Sequence, residues 1–216
     1  MNPDHHEAAS RSAAPDPRQA IPHEELMGLP LLRYRGPIRI VVTEEELHRA
    51  VQEIRTERVV GFDTESRPSF RKGKSHAPSL VQIATSQAVH LFQLGRVDCS
   101  QELADVLGNP TITKAGVALT RDLVELQKLF PFIPANVVDL GDIAKRRGMK
   151  QTGLRNLAGL FLGGRITKGP QTSNWARHDL SPNQQCYAAT DAWACRELYL
   201  RFESLGLLSR DVKPLT

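Results

Sequence analysis

Cysteine is scarce. Cys99, Cys186 and Cys195 are the three in 216 residues, too few and too scattered for a disulfide framework or a thiolate zinc site, so free and mostly buried thiols are expected. No apolar run approaches the length that spans a bilayer, and the N-terminus (MNPDHHEAAS) lacks the basic-then-apolar order of a secretion signal. These absences point to a soluble, cytoplasmic protein. Acid is also missing, but only locally. From Lys145 through Arg177 there are eight basic residues (Lys145, Arg146, Arg147, Lys150, Arg155, Arg165, Lys168, Arg177) and no acid. Ser66 to Ser79 adds Arg67, Arg71, Lys72 and Lys74, again with none, so the formal +4 hides a remainder at −8. Positive charge segregated in this way favours a polyanionic partner, the plain alternative being a solvated basic face.

The chain is 40% hydrophobic and long enough to bury one sizeable core. Residues 1–22, rich in Pro, Ala, Ser and charge, read as a disordered tail. An N-terminal extension, 23–57, holds a strand over Ile38–Val42 and a helix to Arg55, opened by a capping box of Thr43 and Glu46. Further strands are expected at Arg58–Asp63, Leu80–Ala84, Val89–Leu91, Thr111–Ala115 and Val137–Asp139, with a hairpin at Ser86-Gln87. Helices are expected at about 101–107, 120–130, 140–147 and 153–162. Gly163–Leu180 breaks periodicity and reads as a functional or mobile loop. Ser181 then caps a helix, with Pro182 at its first position, that runs to about Phe202. Strands in a meander followed by strand and helix in alternation indicate an α/β domain with a mixed sheet, here 58–206, before a short tail at 207–216.

Three groups of acids stand out in that frame. In Gly61-Phe-Asp-Thr-Glu65, Asp63 and Glu65 follow an apolar run two positions apart and so point to one side of a strand. Two like charges that close repel unless a cation lies between them, which invites a hard metal ion on oxygen ligands. Taken alone, the pair also fits a strand ending in a solvated turn. Asp122 shares the edge of the apolar face formed by Leu119, Leu123 and Leu126, where a carboxylate is costly unless it is met by a partner. Tyr187 and Asp191 are four apart on one helix face, among Ala188, Ala189, Ala192 and Ala194. Small neighbours let that helix approach the sheet closely and bring the pair against the strand of Asp63 and Glu65.

Read in order, Asp63-x-Glu65, the Asp122 segment beginning at Lys114 and Tyr187-x-x-x-Asp191 resemble the DEDD superfamily of 3'-5' exonucleases. The likeness is to its tyrosine-containing branch, with RNase D and the Werner-type exonuclease domains. FDTES, SLVQIAT, LRNLAGLFLG, KGPQTSNWA and YAATDAWACRELY are similar to family segments, covering about 58–205. The resemblance implies an RNase H-like, or DnaQ-like, mixed sheet flanked by helices. RNase D carries helical domains after its nuclease domain, and with none here the chain looks closest to a stand-alone Werner-like exonuclease domain.

The resemblance further implies two divalent ions, Mg²⁺ or Mn²⁺. Asp63, Glu65 and Asp191 would hold one with the attacking water, Asp63 would bridge to the second, and Asp122 would support the second. Tyr187 would orient the water and the scissile phosphate. The implied partner is a nucleic acid, DNA or RNA, that loses nucleoside 5'-monophosphates from its 3' end. Lys168, Gln171, Ser173, Asn174 and Arg177, just before the last helix, are expected to contact phosphates near the terminus, and Thr64 and Lys114 are also expected to bind the substrate. Trp175 would stack on a base or pack in the loop, and Arg67, Arg71, Lys72 and Lys74 would guide the strand. Two rival readings are a binding or scaffold protein on a retired nuclease fold and a phosphoesterase acting on small nucleotides.

Overall fold

Residues 59–66 face two environments by turns, and the fold follows from that alternation. In the computed structural model, which describes residues 20–68 and 76–208, this stretch is strand β2 (Val59–Ser66). Val60 and Phe62 enter an apolar cluster with Val81, Ile83 and Phe92. Gly61, Asp63 and Glu65 take the opposite face, as a period of two requires. The other strands are β1 (Ile38–Val41), β3 (Pro78–Ala84), β4 (Val89–Gln93), β5 (Thr113–Gly116) and β6 (Val137–Asp139). Among the described residues they form one six-stranded sheet in the order β1-β4-β3-β2-β5-β6. β2, β3 and β4 run antiparallel, whereas β1 joins β4, and β5 joins β2 and β6, in parallel. The mixed α/β expectation holds.

Seven helices are described: α1 (His23–Gly28), α2 (Glu44–Arg55), α3 (Ser100–Gly108), α4 (Leu119–Gln127), α5 (Leu140–Arg146), α6 (Leu154–Leu162) and α7 (Pro182–Ser204). Leu47, Val51 and Ile54 of α2, Leu103 and Leu107 of α3, and Leu123 and Leu126 of α4 close one face of the sheet. α7 crosses the other face, where Tyr187, Ala188 and Ala192 meet Leu80, Leu91, Trp175 and Leu180. α5 and α6 pack on the second half of α7, and Phe161 meets Phe202 edge-on at 4.9 Å. The expected capping box of Thr43 with Glu46 forms, and the expected cap at Ser181 is completed as a second box by Gln184.

The differences from expectation sit at element ends. β2 runs on to Ser66 and β3 begins at Pro78, because their antiparallel pairing continues past the apolar residues as far as a register shift at Glu65/Ser66. β5 begins at Thr113, two residues late, and α4 stops at Gln127, three early. The loop 163–180 holds one short 3-10 turn, Gly169–Thr172. α1 is unexpected: it buries none of its residues fully and so carries no apolar period to read. The segment read as an extension contributes β1 to the sheet edge and α2 to its flank. Most of the expected tail, with Arg71, Lys72 and Lys74, lies outside the described residues.

On the α2 side, Glu53 shows how a carboxylate is accommodated here. Burial alone would raise it, yet hydrogen bonds from Thr85 Oγ1 (2.5 Å), the His90 ring (3.1 Å) and the Arg39 guanidinium bring it below its ordinary value.

The approach of α7 to β2 depends on Gly61. A methyl group there would run into the backbone carbonyl of Ala192 and the amide of Arg196. Backbone cannot rotate away as a side-chain tip can, so Gly61→Ala is expected to cost ~2 kcal/mol or more. Urea unfolding would read that loss as a lower midpoint at similar slope, whereas an unchanged midpoint would mean that α7 is free to back off.

Candidate active site

The α7 face of β2 and the first half of α7 meet with acids on both sides. Asp63 and Glu65 project from the strand, and Asp191 from the helix. Carboxylate oxygens of all three lie within 4.8 Å of one another. Asp191 is buried, and one of its oxygens, Oδ1, has no hydrogen-bond partner among the described residues. The Tyr187 hydroxyl, one helical turn back, hydrogen-bonds the same carboxylate. Burial and the neighbouring Asp191 and Glu65 push the Tyr187 phenol well above its ordinary value. It therefore stays protonated and acts as a donor.

Asp122 reaches the site from a third element. It sits in the first turn of α4, and Thr64 Oγ1 donates to its Oδ1 at 2.8 Å. The turn is fixed at its start: Ala118 adopts a left-handed conformation (φ 61°), and Leu119 N donates to Asp139 Oδ2 at 2.9 Å. The other oxygen of Asp139 accepts from Gly141 N (2.9 Å) and Asp142 N (3.2 Å) at the start of α5. One carboxylate thus caps two helices. Asp122 lies outside the group of three yet near enough that its charge helps to raise Asp63.

These acids do not neutralise one another. Burial, then the charges of Asp191 and Asp122, hold Asp63 well above the carboxylate range. Burial followed by Asp63, Asp191 and Asp122 pushes Glu65 to about 9, and burial pushes Asp191 to about 7 against its bond from Tyr187. Asp122 is also raised, chiefly by burial. A cation of high charge density would offset this repulsion. Three converging carboxylates, one with an orphaned buried oxygen, fit a hard divalent ion and not a thiolate- or imidazole-seeking one.

The acids floor a cavity of about 1150 Å³, with Arg121, Arg155, Arg165 and Lys168 around them and His23, Leu26 and Met27 of α1 at one side. Lys168, expected at the phosphates, lines this cavity, as does Thr64, whose hydroxyl donates to Asp122. Other expected contacts are used elsewhere. Lys114 is fully buried, and its ammonium donates to the carbonyls of Asn109 (2.7 Å) and Ile112 (2.9 Å), which leaves it no route to a substrate. Trp175, expected to stack on a base or to pack in the loop, is 1% exposed and packs on Tyr187 with ring centroids 6.0 Å apart, which braces α7.

Ser173 Oγ and the Asn174 carbonyl accept from Gln184 Nε2, tying the loop to α7, and Asn174 Oδ1 accepts from Ala176 N. Arg177 lines a different cavity, of about 610 Å³, together with Arg67, Arg96 and His178. Of Gln171, only the backbone is described. The basic run is also partly structural, since Arg147 is buried and donates to the Leu207 carbonyl at 2.8 Å and 3.0 Å.

Residues the sequence reading passed over include Asp139, whose place before a helix start was a capping signal, and Arg155, counted in the basic run but given no role. Gln82 is a third. It is the cross-strand partner of Asp63, fully buried, with both side-chain polar atoms unpartnered among the described residues. A Gln within an apolar strand was the signal available.

An acid-floored cleft on a mixed sheet of this order defines a nuclease-like α/β protein. The chain belongs to the 3'-5' exonuclease family, whose sequence model matches residues 38–206. Among relatives, a 3'-5' exonuclease of Arabidopsis thaliana is 33% identical over 189 residues, 79% of this chain and 65% of that protein. The mouse bifunctional 3'-5' exonuclease/ATP-dependent helicase WRN is 32% identical over 154 residues, 68% of this chain but 11% of its own length. The chain therefore spans less than two thirds of either relative. The crystal structure of Escherichia coli RNase D superposes with a TM-score of 0.69 at 22% identity, over 79% of this chain and 46% of that one, a likeness of fold. Among the described residues, no helix is long and apolar enough to cross a membrane.

The raised carboxyls have a thermodynamic sign. Groups that bind protons more tightly when folded contribute stability that is full below their unfolded values, 4.5 for Glu65 and 3.8 for Asp191, and lost as pH rises through about 9 and about 7. In EDTA, melting temperature should fall across that window, and Mn²⁺ should restore it increasingly from pH 5.5 to 8.5, by about 5 °C or more at saturation. A gain from Mn²⁺ that does not grow with pH would dissociate the metal from these carboxylates.

Proposed function

We propose that this chain is a metal-dependent 3'-5' exonuclease that removes nucleoside 5'-monophosphates from the 3' end of DNA or RNA. The observation that carries the reading is the meeting of Asp63, Glu65 and Asp191 from two elements within ligand-sharing distance, beside a protonated Tyr187. Membership of the exonuclease family supports the class of reaction.

In this reading Asp63, Glu65 and Asp191 would hold one Mg²⁺ or Mn²⁺, and Asp63 with Asp122 would serve a second. Such ions, when bound, supply an activated water at neutral pH and stabilise charge on the leaving oxygen. The chain's own groups do the remainder. Tyr187, a donor that cannot ionise in this setting, holds the water or a non-bridging phosphate oxygen in line. Thr64 keeps Asp122 from swinging away. Arg121, Arg155, Arg165 and Lys168 offset the phosphate charge around an acidic floor and make binding fall with salt. Water adds to phosphorus, the bond from phosphorus to the penultimate 3' oxygen breaks, and the proton released ends on that oxygen. The strand leaves one nucleotide shorter.

The test is a 5'-labelled strand offered as single-stranded DNA, recessed duplex DNA and RNA, with Mg²⁺, Mn²⁺ or EDTA. A ladder shortening from the 3' end is expected with either metal, and none with EDTA or with Asp63→Asn, whose melting temperature should stay at or above that of the parent. Tyr187→Phe should lower kcat ~10- to 100-fold with a smaller change in KM, since it removes a donor used in the chemistry. Binding without shortening would move the protein to the binding or scaffold reading. Turnover of mononucleotides alone would make it a small-molecule phosphoesterase.

A further inference from the structure

The cavity has one wall that the family's sequence model does not include. That model begins at residue 38, and α1 lies before it. His23, Leu26 and Met27 of α1 nevertheless line the same cavity as Asp63, Glu65 and Asp191.

α1 is held there from both sides. Before it, Ile21 N donates to Gln151 Oε1 (3.0 Å), and Gln151 Nε2 donates back to the Ile21 carbonyl (3.2 Å). After it, Leu32 N donates to the Arg165 carbonyl and Arg165 N to the Pro30 carbonyl, each at 2.9 Å, while Arg165 Nε reaches the Leu29 carbonyl at 3.1 Å. Tyr34 N then bonds Thr190 Oγ1 on the catalytic helix at 3.0 Å. Leu26 rests on Gly159 of α6, where a methyl group would collide with it. The strap is fixed, but Met27 is 52% exposed, among the few large apolar side chains left so open.

An exposed apolar side chain on the wall of a cavity floored by acids and rimmed by cations has no match in a phosphate or a metal ion. The apolar part of a nucleotide is the face of its base. Of the two aromatic rings at this cavity, Tyr187 is engaged with Asp191 and Trp175, and His23 stands on α1 beside Met27, on the same wall. We propose that α1 is a base-contacting wall, with Met27 packing against the 3'-terminal base of the substrate strand. This rests on the exonuclease reading and adds to it the part of the substrate that the acids do not touch. A thioether on an unbranched chain adapts to purine and pyrimidine alike, so the wall senses the presence of a base and not its identity.

The experiment uses two 5'-labelled oligonucleotides, identical except that one ends in an abasic 3' residue. Binding is read by anisotropy in Ca²⁺ and cleavage in Mn²⁺, for the full chain, Met27→Ala, Met27→Leu and, as a surface control, Val124→Ala. The parent should bind the base-bearing strand ~3- to 10-fold more tightly than the abasic one. Met27→Ala should reduce that preference below ~2-fold by weakening only the base-bearing strand, with kcat within ~2-fold and an unchanged melting temperature. Met27→Leu and Val124→Ala should keep it.

Equal weakening of both strands by Met27→Ala, or no weakening, would overturn the proposal, as would a parent that ignores the missing base. If the parent shortens neither strand, the exonuclease reading falls. The anisotropy pair would still decide whether Met27 meets a base.

Discussion

The site depends on one backbone contact. β2 and α7 approach so closely at Gly61 that the helix carbonyl of Ala192 occupies the place a side chain would take. The meeting of the acids follows from that distance. Asp63 and Glu65 follow the contact on the strand, Tyr187 and Asp191 lie within two turns of it on the helix, and the alanines of α7 remove the bulk that would hold the layers apart. The elements that meet there are long, eight residues of strand and 23 of helix, so the acids are presented from rigid supports.

Two carboxylate environments on opposite faces of the sheet show that repulsion is not a side effect of burial. Glu53 of α2 is surrounded by donors and ends below its ordinary value, although it is partly buried. Asp63, Glu65 and Asp191 are surrounded by one another and end above it. The protein can satisfy a partly buried acid, as it does at Glu53. On the α7 side it sets Asp63, Glu65 and Asp191 against one another, with donors only from Tyr187 to Asp191 and from Thr64 to Asp122, and their mutual repulsion opposes folding when they are ionised. A chain tuned for stability alone would have replaced one of them with an amide.

Much of this was legible in the residues. Period-two alternation placed Asp63 and Glu65 on one face, the four-residue spacing stacked Tyr187 over Asp191, and the run of alanines foretold a close helix. Exposure is a tertiary property and was not legible: Lys114 carries a group that binds phosphates when exposed but turns back to carbonyls near its own strand, while Trp175 takes the packing place that was one of its two expected ones, under the loop and onto Tyr187. The reverse error hid α1, whose residues gain meaning only through Gln151, Gly159 and Arg165, all more than 100 positions away in the chain. Gln82 lies between these cases, since its oddity is visible in an apolar strand but its neighbour Asp63 becomes known only with the register.

The double cap at Asp139 has a bearing on how the protein could be remodelled. α4 is located by its first turn, through the bond from Leu119 N to Asp139, and α5 hangs on the same carboxylate. Between the end of α4 and β6 the loop is pinned at Phe130 and Phe132 but leaves Ile133 86% exposed between them and β6. Asp122 is fixed from the other end of α4, so lengthening the loop at Ile133 would leave it where it is. A tethered module, a fluorescent reporter or a targeting peptide could therefore be grafted at this tip without disturbing the acid cluster.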